Sequence, residues 1–445
     1  MVRMSEHNEE QRYIGDVGAP FNGPREEAAV GFGMVVLALA VGFAVGFAVW
    51  AVFKLSGFLT GLLWEDGYAA LAGMLASAGL SSWWIPLAFC SLGGLVIGLW
   101  TWRFGGAPQP MEQVLGQVRQ TGGYRLDKPL ASIVGFLLPL VFGGSIGPEA
   151  GLTGIIAAAC TKVGELLKAA GLRVKGVADL TVSAALSAIF ATPFAGVVTT
   201  AQDAMPSDSG ADGVEYRRTA KLVLYTASAL GAVAGVMALT SLLGAGGAGL
   251  PRFEGMVPGA NKLWWALPCL LAGYAGTLVY HGGQCLFGRA SSLMGGRPVL
   301  KPLVAGVVLG LLAIPLPLVL FPGEEQSFEL MESWQSISAL VLIATGLLKC
   351  AATPLCLRFG WGGGHFFPVI FAGVALGYGI ASLAGIEPMF CVAVTTAALV
   401  AGVQRKPLIA LGLLLMCFPA SGIVWMGIAC VLGASLPVPA ALLKH

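Results

Sequence analysis

Residues 143–154 read GGSIGPEAGLTG, flanked by LASIVGFLLPLVF (130–142) and IIAAAC (155–160). Glycine recurs through the stretch, and Gly147-Pro148-Glu149 interrupts what is otherwise an apolar run. In hydrocarbon an unpaired backbone N–H or C=O costs several kcal/mol. Irregular backbone therefore survives there only inside protein or beside a water-filled cavity. A carboxylate within such a segment is a functional candidate by default. The break marks where a polar substrate is expected to go.

The rest of the chain fits this setting. It has 445 residues, 56% hydrophobic and 11% charged, with mean hydropathy +0.81. Soluble domains carry about 25% charged residues, so a polytopic, all-α membrane protein is expected. The 64 glycines suit close helix packing in lipid. The net charge of +2 gives no footprint for nucleic acid. Most of the nine cysteines lie in apolar runs without a CxxC pair, and the four histidines form no HExxH. Neither a disulfide framework nor a metal site is expected, and no cofactor is implied. Residues 1–27 are polar, lack a signal-peptide pattern and read as a tail. Arg3, Arg12 and Arg25 favour a cytoplasmic N-terminus, diluted by Glu6, Glu9, Glu10 and Glu26.

A spanning helix needs about 20 apolar residues. Stretches 28–55, 85–101, 220–243, 263–280, 302–320 and 337–357 qualify as candidates, whereas 130–142, 149–170, 180–201, 366–384, 389–402 and 407–417 are shorter or interrupted. Trp83-Trp84 and Trp264-Trp265 read either as interfacial anchors or as ordinary packing. The chain ends just after its last apolar run, so no regulatory domain is expected to follow.

The two halves resemble each other. GGSIGPEAGLTG has a partner in GGGHFFPVIFAG (362–373), with Pro148 and Pro368 separated by 220 residues. SAIFATPFAGVV (187–198) and ALVAGVQRKPLIALG (398–412) follow in the same order. Paired Gly/Pro-interrupted segments in corresponding positions point to a transporter's binding site. The expected organisation is a membrane domain over 28–445, with halves at about 28–245 and 260–440. At each break a glycine-rich loop leads into a helix with proline near its first turn, where a missing N–H costs nothing. The following free amides carry the positive end of the helix dipole and form an anion site. Uncharged amides hold an ion weakly enough to release it.

These motifs resemble those of the CLC family of chloride channels and chloride/proton antiporters, and the chain is similar to a divergent prokaryotic member. Gly144-Ser145-Ile146-Gly147-Pro148 matches the family's GREGP in frame, and Gly364-His365-Phe366-Phe367-Pro368 matches GxFxP. Gly106-Ala107-Pro108-Gln109-Pro110 stands at GSGIP with only its ends matching. The resemblance, over roughly 30–435, implies a homodimer with one pathway per subunit, each built from two inverted halves. It also implies a bacterial inner (plasma) membrane location. Anion-binding positions carried over are Ala107, Ile146, Gly147, His365, Phe366 and Phe367.

The chain departs from the pattern in several places. Ile146 replaces the family's gating glutamate and cannot carry a proton. Glu149, one turn on, either substitutes for it or only stabilises the helix start. Ala107 removes a hydroxyl donor, and 433–445 lack the family's C-terminal tyrosine. Asp203 falls where antiporters keep an internal proton-transferring glutamate, and reads either as a relay or as a solvated helix-end carboxylate. His365 either titrates beside the ion or is simply hydrogen-bonded. Lys349, Arg405 and Lys406 are expected to snorkel from helix ends.

The function expected is transport of small inorganic anions, chloride the leading candidate, by a passive channel or a proton-coupled antiporter. A fluoride exporter of the same fold and a non-conducting membrane scaffold are alternatives. An enzyme is not expected, for want of a convergent catalytic set.

Overall fold

The computed structural model describes residues 26–28, 32–111, 113–114, 116–117, 123–169, 214–216, 218–243, 252–255, 263–415 and 417–443. Nearly all of the N-terminal tail, the 180–201 and 187–198 segments and Asp203 lie outside the described residues.

Helices run through the described chain: α1 Phe32–Gly61, α2 Tyr68–Ser77, α3 Ile85–Phe104, α4 Pro129–Val141, α5 Glu149–Ala169 and α6 Arg218–Leu243. They continue with α7 Leu263–Leu293, α8 Leu300–Ala313, α9 Glu324–Ser333, α10 Ala339–Arg358, α11 Phe366–Ala384 and α12 Pro388–Gln404. The last are α13 Pro407–Leu414, α14 Ile423–Ser435 and α15 Ala440–Leu443. Two three-residue strands, β1 (Glu26–Ala28) and β2 (Val214–Tyr216), pair in parallel. Among the described residues, five helical stretches are long and apolar enough to cross a membrane.

The glycine content has a packing reason. A Cβ on Gly42 or Gly46 of α1 would sit 2.0 or 2.2 Å from a carbonyl oxygen of α6, so these backbones touch. Gly94 and Gly98 of α3 likewise abut the backbone around Val299–Leu303, at the start of α8. In a bilayer such small-residue seams supply the packing that water drives elsewhere. The outer helices turn Phe43, Phe47, Leu230, Met237, Leu271 and Leu311 outward, the surface a lipid solvent requires.

A helix apolar on every side belongs in the interior, and α11 and α12 are buried along nearly their whole length. The second break therefore opens straight into the core.

The expected spans are corrected in two places. The 366–384 stretch, expected to be short or interrupted, is the continuous helix α11, long and apolar enough to cross a membrane. The 302–320 stretch is helical only to Ala313 and then turns through a single 3-10 turn, Pro317–Val319. Pro315 and Pro317 disfavour helix both at and just before themselves.

Candidate functional site

Both breaks are buried and meet in the interior. Gly147 N–H donates to Gly364 O at 2.8 Å, and Gly364 N–H returns to Gly147 O at 2.7 Å. This antiparallel bridge joins the starts of α5 and α11, one from each half. The approach demands glycine: a Cβ at Gly147 would lie 1.9 Å from Glu149 Oε2, and one at Gly364 would lie 2.0 Å from Glu149 Oε1.

The Glu149 side chain fills the space between the breaks. It is 0% exposed. Its Oε1 accepts from Phe366 N–H at 2.6 Å, across 217 residues of sequence. The amides of His365 and of Glu149 itself also lie close enough to favour its charge. Oε2 is buried with no hydrogen-bond partner. Burying an ionised carboxylate costs several kcal/mol, and the amides at two helix starts offset only part of that cost. The cradle thus meets the Glu149 carboxyl group with backbone amides.

The other residues expected at the site are distributed unevenly. Ile146 is fully buried and packs on the second break: a Cβ on Gly363 would meet its Cδ1 at 2.4 Å. The chain in the cradle is Glu149's. The amide of Gly147 is spent on the bridge. Phe366 and Phe367 are buried, and Phe366 contributes its amide to the cradle. The 105–110 segment reaches the second break through Pro108, which packs on Gly362, while Ala107 is exposed.

His365 is half-buried, its ring stacked on Phe366 at 4.9 Å. The Gln404 side-chain amide lies 2.5 Å from its Nε2, and the Tyr280 ring is 6.0 Å away. Tyr280 Oη accepts from Gln284 Nε2, whose Oε1 accepts from Arg358 Nε. A ring contact thus joins the second break to a short polar chain that ends at Arg358, the last residue of α10. The family's C-terminal tyrosine has no counterpart in sequence, and the described C-terminal segment packs on α7 through Tyr274 Oη to Pro437 O at 2.6 Å.

Lys349 overturns its expectation. It lies in the middle of α10, 0% exposed, rather than snorkelling from an end. Its Nζ is within hydrogen-bond reach of four carbonyls: Leu318 (3.3 Å), Val319 (3.1 Å), Leu320 (2.7 Å) and Phe321 (2.6 Å). The Phe371 ring sits 4.8 Å below it. A buried ammonium must be hydrogen-bonded, and the turn after α8 supplies the acceptors. The turn also braces the first break, because Phe321 N–H donates to Gly143 O at 3.0 Å. Arg405 is corrected too: it is half-buried and donates to Ala434 O and Leu436 O, each at 2.7 Å, at the end of α14. Lys406 is exposed.

A cavity of about 460 Å³ opens beside the first break. Pro148, just before α5, and Leu152 within it line the cavity together with Lys54 of α1 and Glu324 at the start of α9. Glu324 carried no signal in the sequence, where GEEQS reads as an ordinary polar turn. Gln404 and Tyr280 were equally silent, since their partners are remote in sequence.

Comparison with known proteins agrees with this architecture. The family model for the voltage gated chloride channel matches residues 93–437. "Putative ion-transport protein YfeO" of Escherichia coli O17:K52:H18 (strain UMN026) is 28% identical over 371 residues, covering 76% of this chain and 77% of that protein. Its namesake in Shigella flexneri is 28% identical over 349 residues, with the same coverage. A slow cyanobacterial Cl-/H+ antiporter superposes with TM-score 0.73 at 18% identity, covering 91% of this chain and 94% of that one. A CLC-type fluoride/proton antiporter superposes with TM-score 0.67 at 18% identity, covering 92% and 98%. With the family match spanning most of its length, the chain belongs to the voltage-gated chloride channel (CLC) family.

Proposed function

We propose that the protein exchanges small inorganic anions, chloride the leading candidate, for protons across a bilayer, with Glu149 as the moving gate. The single observation that carries this reading is the Glu149 carboxylate lying between the starts of α5 and α11. A cradle that accepts a carboxylate accepts a small anion on the same amides. The two then compete for one place, and protonation of the carboxylate decides the winner. Ile146 removes the family's gate, and Glu149 replaces it from one turn further along. Phe366 and His365 contribute amides to the ion, and Ala107 belongs to the approach rather than the cradle. Asp203 serves as a second proton relay. The protein acts as a homodimer with one pathway per subunit, in the plasma membrane of a bacterium, its N-terminus cytoplasmic. Its work is transport rather than catalysis.

The test is purified protein in liposomes, with a chloride gradient and a proton readout. Proton uptake against a proton gradient is the expected result. Chloride flux without proton movement would make the pathway a passive channel, and no flux of any anion would leave a scaffold. Running fluoride, bromide and nitrate beside chloride distinguishes a fluoride exporter.

Gly364→Ala probes the cradle. The added Cβ would fall 2.0–2.5 Å from the Glu149 Oε1, Cδ and Cγ atoms, so the carboxylate must leave. Displacing a working group by about 1 Å can cost about a hundredfold, and coupled exchange is expected to fall on that order. Measured flux from a variant that elutes like the parent checks this.

A further inference from the structure

The 460 Å³ cavity has no assigned role, and its chemistry is specific. Its wall holds Pro148 and Leu152, which precede Glu149 by one residue and follow it by one turn. The cavity thus adjoins the helix face next to the gate. Glu324 lines the same cavity, half-buried, with Oε1 shut off from solvent and without a hydrogen-bond partner. Glu149 Oε2 is orphaned in the same way, and the two carboxyl groups are close enough for their charges to interact. The other ionisable groups on the cavity wall are Lys54, half-buried on α1, and Glu325, exposed beside Glu324. The α11 face touching this turn presents Phe371.

Glu324 is also fixed in place. Gly323 before it has φ +105°, and a Cβ there would lie 2.4 Å from Phe371 Cβ. Phe321 is bonded to Gly143, and Lys349 grips the carbonyls of 318–321. Such anchoring is costly to spend on a solvated helix-start carboxylate.

We propose that Glu324 is the proton-exchanging partner of Glu149 on the cavity side. When the Glu149 side chain leaves the cradle it turns toward Pro148 and Leu152 into the cavity. Its carboxyl then gives its proton through water to the Glu324 carboxylate. Glu149 is left as a carboxylate, Glu324 becomes the carboxyl, and the proton leaves from there into the cavity water. The reverse path loads Glu149. The inference rests on the coupled-exchange reading above.

The experiment compares the parent with Glu324→Gln, Glu324→Asp and Glu329→Gln in liposomes, following chloride and proton fluxes from pH 4 to 8. Glu329 is an exposed residue of the same helix, outside the cavity wall. Glu324→Gln is expected to slow proton movement by about tenfold or more, the scale of a lost acid–base group. Chloride movement should stay within about twofold, and the inflection that Glu324 contributes to the proton-flux profile should disappear. Glu324→Asp should restore most of the rate, and Glu329→Gln should behave like the parent. If the parent couples and Glu324→Gln couples equally well with the same pH profile, the Glu324 assignment is wrong while the exchange reading stands. If Glu324→Asp is as slow as Glu324→Gln, the side chain is structural and the assignment is also wrong. If the parent moves no protons at all, both fall together.

Discussion

Glu149→Gln, reconstituted in liposomes, is expected to carry chloride without moving protons. Glutamine keeps the shape of the side chain and its carbonyl oxygen, so the 2.6 Å bond from Phe366 N–H is preserved. It cannot take up or release a proton. The atom it changes is Oε2, which has no partner to lose, so the fold should be undisturbed. Proton flux should fall by about a hundredfold or more, the range for removal of a positioned acid–base group. Anion flux has a reason to persist. The amides favour negative charge, and a neutral side chain competes for them less well than chloride does. Coupling that survives the substitution would remove Glu149 from the mechanism.

The second large effect is on the fold. Lys349→Met removes the donor from four carbonyls of the 318–321 turn, the two shortest bonds being 2.7 and 2.6 Å. Methionine matches the stem but donates nothing. Each carbonyl left buried and unpaired costs about 1–3 kcal/mol, and the relief of no longer burying a charge offsets part of this. A net loss on the order of 3 kcal/mol is expected, read as a clear fall in the melting midpoint in detergent. Because Phe321 braces Gly143, flux should drop as well. An unchanged midpoint would show that the turn is held by its neighbours and not by the lysine.

How far the sequence could be read depends on where each residue's partners lie. The breaks at 143–148 and 362–368 were legible because an interrupted membrane helix demands glycine and proline, and those residue types announce themselves. Their meeting was implied by the repeat, yet the Gly147–Gly364 bridge that consumes the Gly147 amide was not. Glu149 was legible as a carboxylate in the right place. Its contact with the Phe366 amide, 217 residues away, was not legible. Lys349 was misread because a single lysine in an apolar run looks like one that reaches out, and its acceptors, 28–31 residues upstream, follow a turn set by Pro315 and Pro317. The over-long 302–320 span shares that origin, since hydropathy alone ignored those two prolines. Glu324 gave no sign because two acidic residues after a glycine are ordinary in loops.

The hydrogen-bonded pair linking residues 147 and 364 constrains how turnover can proceed. Parting the starts of α5 and α11 would strand two donors and two acceptors in a dry interior, at about 1–3 kcal/mol for each group left unmet. A rocking cycle that levers one bundle from the other is therefore disfavoured at this point. Under the proposed exchange function the scaffold would act as a rigid valve seat whose stopper is one swinging side chain, and the largest atomic displacement in the cycle should be a few ångströms of Glu149.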